Sequence, residues 1–102
     1  MSGEKIQVKV KLYAFLREIF GKREVTLSLD LNATPFDVIL RLDELSNGKI
    51  AKIVLDNENK LRESYVILVN GRKIERKDID SFVLDDGDEL VIFPPTSGGL
   101  LL

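Results

Sequence analysis

A single long helical period constrains what this chain can fold into, because the other clear apolar segments are short or alternate as strands do. Thr34 and Pro35 are typical of a helix start, since threonine caps free backbone N–H groups and proline suits the first helical turn. The apolar residues after them recur on one helical face: Val38, Ile39, Leu42 and Leu45. Asn47 and Gly48 predict the end of the helix. One amphipathic helix can cover one face of a small sheet, so the pattern predicts an α+β fold.

The segments before this helix predict two strands separated by a short helical turn. Residues 6–14 alternate between apolar and polar side chains, which predicts a half-buried strand. Its predicted buried face consists of Ile6, Val8, Val10, Leu12 and Ala14. Residues 15–20 break the alternation and predict a helical turn that ends at Gly21. The second strand has Val25, Leu27 and Leu29 on its inward face.

The segments after the helix predict three further strands. Residues 65–69 form a continuous apolar run, which suits a well-buried strand. Asn70 and Gly71 predict a tight turn into a short return strand at residues 72–74, because both turn positions favour positive φ. A last strand is expected at residues 89–93. Residues 49–64 are compatible with either a second helical turn or a short strand.

An acidic cluster lies just before the last predicted strand. It consists of Asp85, Asp86, Asp88 and Glu89. The cluster lacks the long ligand loop of a calcium site, so a solvated hairpin turn is expected and no metal site.

The composition argues against a self-contained enzyme. The chain has no cysteine and no histidine, which removes thiol nucleophiles, thiolate metal sites and the commonest general base. Its net charge of −2 is spread without a basic stripe, so no nucleic-acid partner is expected. No apolar run is long enough to cross a bilayer, so no membrane partner and a cytoplasmic location are expected. These observations favour a carrier, a subunit or a binding module.

Three segments resemble one known family. Residues 86–99, which read DGDELVIFPPTSGG, resemble the C-terminal signature of the molybdopterin synthase small subunit. Residues 10–21 and 68–72 resemble other parts of that family. The resemblance implies the β-grasp (ubiquitin-like) fold: a mixed sheet of four to five strands, one main helix packed on one face, and the last strand parallel to the first at the sheet centre. Residues 1–93 would form this domain, and residues 94–102 a flexible C-terminal tail.

The resemblance also implies a function without a catalytic site in the chain itself. In this family of sulfur carriers, an E1-like activating enzyme uses ATP to adenylate the terminal glycine carboxylate, which here would be that of Gly99. Sulfur then replaces the adenylate to give a thiocarboxylate. The large subunit of the synthase receives the tail, and the sulfur passes to the precursor of the molybdenum or tungsten cofactor. The chain would bind no cofactor of its own.

The tail residues fit this role on physical grounds. Gly98 and Gly99 carry no side chains near the reacting carbon, so the backbone can thread a narrow channel. Pro94 and Pro95 favour an extended course away from the domain. Residues 94–99 would reach roughly 20 Å when extended.

The three residues that follow the glycine pair depart from the family pattern. Leu100, Leu101 and Leu102 leave the carbonyl of Gly99 in a peptide bond, so adenylation of Gly99 requires their removal. The hypothesis is a precursor that a processing protease trims after Gly99.

Four residues are candidates for a partner surface, because interfaces favour aromatic side chains and arginine: Tyr13, Phe15, Arg17 and Phe93. Phe15 and Phe93 could instead belong to the core. Lys9 and Lys11 are expected on a solvated strand face rather than in a patch for an acidic partner.

Two other functions remain open from the sequence. The chain could be a protein modifier, joined through Gly99 to lysines of other proteins. It could also be a β-grasp interaction module that is never activated. Transfer RNA is a further possible destination for the sulfur.

Overall fold

A five-stranded mixed sheet forms the centre of the fold, in the order β2-β1-β5-β3-β4. The computed structural model describes residues 4–95. The strands are β1 (Lys5–Leu12), β2 (Glu24–Asp30), β3 (Val66–Val69), β4 (Arg72–Ile74) and β5 (Glu89–Phe93). The helices are α1 (Ala14–Phe20), α2 (Pro35–Leu45) and α3 (Ala51–Val54), with a 3-10 turn at Arg76–Asp78.

The first and last strands lie side by side at the centre of this sheet. β1 pairs with β5 in parallel and with β2 antiparallel, while β5 pairs antiparallel with β3 on its other side. This is the predicted β-grasp arrangement, and the α+β prediction is confirmed.

The predicted start of α2 is confirmed in detail. The backbone N–H of Thr34 donates to Asp37 Oδ2 (2.9 Å), and the N–H of Asp37 donates to Thr34 Oγ1 (3.4 Å). This reciprocal capping box satisfies N–H groups that a helix start leaves free.

The buried stripe of α2 is one residue shorter than predicted. Val38, Ile39 and Leu42 are fully buried, whereas Leu45 is 52% exposed. The helix ends at Leu45, and the chain then turns through Asn47 and Gly48, both at positive φ. The turn returns Ile50 to the core at 0% exposure, so the prediction for Leu45 was wrong.

Two strand predictions also need correction. Ala14 was expected on the buried face of β1, but that strand ends at Leu12 and Ala14 is exposed at the start of α1. β3 was expected to be buried on both faces. Ile67 and Val69 are buried, but Val66 and Leu68 are only partly covered.

The ambiguous segment contains both alternatives. Residues 51–54 form α3, and Leu55 and Leu61 form an isolated antiparallel bridge. Asp43 Oδ1 accepts the N–H groups of Ile50 (3.1 Å) and Ala51 (2.9 Å), so a carboxylate of α2 satisfies the first N–H groups of the short helix.

The acidic turn is not a hairpin, because β4 and β5 do not pair. Asp86 Oδ1 accepts the backbone N–H of Gln7 (2.7 Å), and Asp88 Oδ1 accepts the side-chain amide of Asn70 (2.8 Å). The amide oxygen of Asn70 in turn accepts the N–H of Glu89 (3.0 Å). The turn therefore ties the start of β5 to β1 and to the β3–β4 turn, rather than only contacting solvent.

None of the helices within residues 4–95 has the length and apolar character needed to cross a membrane.

Candidate functional site: the aromatic and basic end of the central strands

The parallel pairing of β1 and β5 brings their carboxyl ends to one edge of the sheet. Leu12 is the register partner of Ile92, so the next residue of each chain segment is a neighbour of the other. Tyr13 and Phe93 stack there, with ring centroids 4.9 Å apart and planes 29° apart. Their residues are 41% and 37% exposed. We call this stack the aromatic pair.

Helix α1 lies directly after Tyr13 and is fixed by one apolar anchor. Leu16 is fully buried, whereas Phe15 is 38% exposed and Arg17 is also exposed. Gly21 ends the helix at φ 92°, a left-handed conformation that glycine adopts without strain. The alternative that Phe15 and Phe93 are core residues is therefore wrong, since each is more than a third exposed.

A shallow basic cleft of about 270 Å³ adjoins the aromatic pair. Its lining consists of Lys11, Leu12, Tyr13, Arg17, Arg23 and Glu24. Three cations face one carboxylate there, so the cleft favours an anionic group.

The lysines of β1 are partly neutralised by acids of the neighbouring strands. Lys11 Nζ lies 2.6 Å from a carboxylate oxygen of Glu89, and Lys9 Nζ lies 3.8 Å from one of Glu24. The hydrogen bond from Lys11 holds the pKa of Glu89 below its usual range, and the same bond raises the pKa of Lys11. These contacts agree with the predicted solvated strand face.

The candidate tail begins at the end of β5. Pro94 is buried and Pro95 is exposed. Gly98, Gly99, Leu100, Leu101 and Leu102 lie outside the described residues, so the calls on them stay predictions.

Sequence reasoning found the aromatic pair but missed Arg23 and the ion pair of Lys11 with Glu89. Both depend on strand pairing, which brings residues distant in sequence together. The DGD signature before the last strand was a usable signal for the parallel pairing, and hence for the proximity of Lys11 and Glu89.

The described part of the site is suited to binding rather than to bond breaking. Within residues 4–95, no three Asp or Glu side chains are grouped so that they could hold a metal ion. The exposed groups are aromatic rings, lysines and arginines, which are the side chains that protein interfaces favour.

Comparison with known proteins gives a consistent family assignment. The model of the ThiS family matches residues 10–99. Small archaeal modifier protein 3 of Haloferax volcanii is 31% identical over 94 residues, covering 92% of this chain and all of that protein. The molybdopterin synthase sulfur carrier subunit of Dictyostelium discoideum is 30% identical over 94 residues, covering 91% of this chain and 96% of that one.

A solved structure agrees with the fold. The crystal structure of SAMP1 from Haloferax volcanii superposes with a TM-score of 0.77 at 30% identity. The match covers 91% of this chain and 99% of that one, so the likeness extends over nearly the whole sheet and its helices.

Proposed function

This chain belongs to the ThiS family of ubiquitin-like sulfur carriers and modifiers, and we propose that it is a sulfur carrier activated at the carboxyl group of Gly99. Carrier subunits of this family are co-substrates, and the chain is not an enzyme. The proposed destination of the sulfur is the pterin precursor of the molybdenum or tungsten cofactor.

One observation carries this proposal. β5 runs through the centre of the sheet and ends at Phe93, one member of the aromatic pair. The next residues of the sequence lead through two prolines to Gly98 and Gly99. A partner that takes the glycine pair would therefore meet the exposed rings and the basic cleft at the same edge of the fold.

The proposed chemistry requires a free Gly99 carboxylate. Hydrolysis of the peptide bond between Gly99 and Leu100 releases the three leucines and creates that carboxylate. The carboxylate attacks the α-phosphate of ATP in an E1-like activating enzyme, and pyrophosphate leaves. A sulfur donor then displaces AMP from the acyl-adenylate, which gives the thiocarboxylate. Transfer of this sulfur to the acceptor in the synthase large subunit returns Gly99 to a carboxylate.

A second candidate function is that of a protein modifier. It is favoured by the similarity to small archaeal modifier protein 3 over nearly the full length of both chains. The activation step is the same, but the acyl group of Gly99 passes to a lysine amine of another protein.

The intact mass of the protein from its native cells tests the proposal. We expect a species that ends at Gly99, part of it with the mass increment of one oxygen replaced by sulfur. Peptides in which Gly99 is joined to lysine side chains would instead assign the modifier function. If every molecule retains the three leucines, no activatable glycine exists and both proposals fail, leaving a β-grasp interaction module.

A further inference from the structure

The outer edge of β2 has no partner strand among residues 4–95. β2 is seven residues long and is the terminal strand of the sheet, paired only with β1. Exposed edges commonly carry proline or lysine, which discourage further pairing. β2 contains neither, since its sequence is EVTLSLD. Its backbone N–H and C=O groups are therefore available to an added strand.

A groove runs between this strand and α2. It consists of two adjoining clefts of about 350 and 210 Å³, which share Leu29 and Asp37 in their linings. Leu29 forms the floor at 7% exposure, and Leu40 and Leu31 stand beside it at 42% and 52% exposure. We call this feature the β2–α2 groove. Its apolar surface is available without any rearrangement of the core.

The rim of the groove is acidic. The charged residues that line it are Asp30, Asp37, Asp43, Glu44 and Arg41. Arg41, the cation among them, is already paired with Glu44 at 3.1 Å. Carboxylates thus outnumber cations around an aliphatic floor, and a complementary ligand would be aliphatic at its centre and basic at its ends.

We propose that the β2–α2 groove binds an extended segment of a partner protein that has alternating aliphatic side chains flanked by lysine or arginine. The segment adds a strand to the free edge of β2 through backbone hydrogen bonds. Alternate side chains of the segment contact Leu29, Leu31 and Leu40, and its terminal cations pair with the acidic rim.

This surface is separate from the aromatic pair. In the β1–β2 register, Asp30 lies opposite Lys5, whereas Glu24 lies opposite Lys11. The groove adjoins the Asp30 end of β2, and the aromatic pair follows the other end of β1. A segment in the groove would leave the proposed activation site free, so this interaction stands independently of the sulfur-carrier function.

Titration of the ¹⁵N-labelled full chain with a synthetic peptide tests the proposal. The peptide has the order lysine, arginine, valine, isoleucine, valine, isoleucine, lysine, arginine. We expect saturable shifts of the amide signals of β2 and α2, with a dissociation constant on the order of 100 μM. One control peptide carries glutamate in place of each cation. Another has proline in place of the first isoleucine, which removes a strand N–H. We expect each to bind at least about tenfold more weakly.

Two matched variants locate the contact. Leu40→Lys adds a cation to the groove and should weaken binding about tenfold. Leu45→Lys changes an exposed leucine of the same helix that does not line the groove, and should alter the dissociation constant less than about twofold. Both positions are solvent-exposed, so the spectra of both variants should keep the folded dispersion.

Four outcomes would overturn the proposal: no shift of the β2 amides at millimolar peptide, equal binding of the proline peptide, equal effects of Leu40→Lys and Leu45→Lys, or shifts confined to the aromatic pair.

Discussion

Two Asn-Gly dipeptides of this chain share a backbone conformation but differ in what the asparagine side chain contacts. Asn47 and Asn70 have φ of 60° and 52°, and each is followed by a glycine at positive φ. The Asn70 amide bridges the β3–β4 turn to Asp88 and Glu89. Within the described residues, no side-chain hydrogen bond is found for Asn47. The pair therefore separates the contribution of the left-handed backbone from that of the bridge.

We expect Asn70→Ala to lower the free energy of unfolding by about 2 kcal/mol, because two hydrogen bonds are lost along with the left-handed preference of asparagine. Asn47→Ala, which loses only the backbone preference, should cost about 1 kcal/mol. Urea denaturation of both variants measures the difference. Equal costs would mean that the bridge from Asn70 to the acidic turn contributes nothing to stability.

Residue-level prediction from sequence succeeded where local rules decide the outcome. Gly21 and Gly71 follow from backbone sterics and are found at positive φ in the predicted turns. Leu45 shows the limit, because helical periodicity assigns a face without stating where the neighbouring segments run. Ile50, returned by the next turn, is buried instead. The bridging role of Asn70 depends on residues about twenty positions away, so the dipeptide alone predicted only a turn.

At the scale of elements, α2 is the helix whose ends and buried face the sequence specifies most fully. Its capping box joins Thr34 and Asp37 through both backbone N–H groups. The bond that Asp37 accepts is 2.9 Å long and the bond that Thr34 accepts is 3.4 Å long. The carboxylate also lies in the first helical turn, where the helix dipole favours negative charge.

Removing either half of this box should destabilise the fold by an amount set by that geometry. We expect Thr34→Ala to cost about 1 kcal/mol of unfolding free energy, and Asp37→Ala to cost more, because it loses the shorter bond and the dipole contact. Thr34→Ser keeps the hydroxyl and serves as the control, with a cost below about 0.5 kcal/mol. Thermal and urea denaturation provide the values. A larger cost for Thr34→Ala than for Asp37→Ala would contradict this order.

Across the whole molecule, sequence patterns predicted which segments form strands and helices, but not how the strands are arranged. Alternation in β1 and the cap of α2 are local properties, whereas the order β2-β1-β5-β3-β4 joins residues from opposite ends of the chain. The parallel central pair was expected only through the family resemblance. The same non-local pairing stacks Tyr13 on Phe93 and brings Arg23 to the cleft beside them, which explains why part of the site could not be predicted from local pattern.

This arrangement separates the surface proposed for partner binding from the core that holds the fold. Tyr13 and Phe93 are each more than a third exposed, whereas the neighbouring core residues Leu12 and Ile92 are almost fully buried. Truncating a ring of the aromatic pair should therefore cost roughly 1 kcal/mol of stability. Aromatic anchors at the centre of an interface are worth more than this, often enough for a tenfold loss of binding.

We accordingly expect Tyr13→Ala and Phe93→Ala, each in protein trimmed to end at Gly99, to form thiocarboxylate about tenfold more slowly than the unchanged sequence when extract of the native cells supplies the activating enzyme. Intact-mass spectrometry over time gives the rates, and circular dichroism checks that both variants remain folded. Leu45→Ala is the matched control, since it removes an equally exposed apolar side chain from α2 and should leave the rate unchanged. If both aromatic variants are activated at the unchanged rate, the activating enzyme does not contact the aromatic pair. The glycine pair would then be recognised without that edge of the domain.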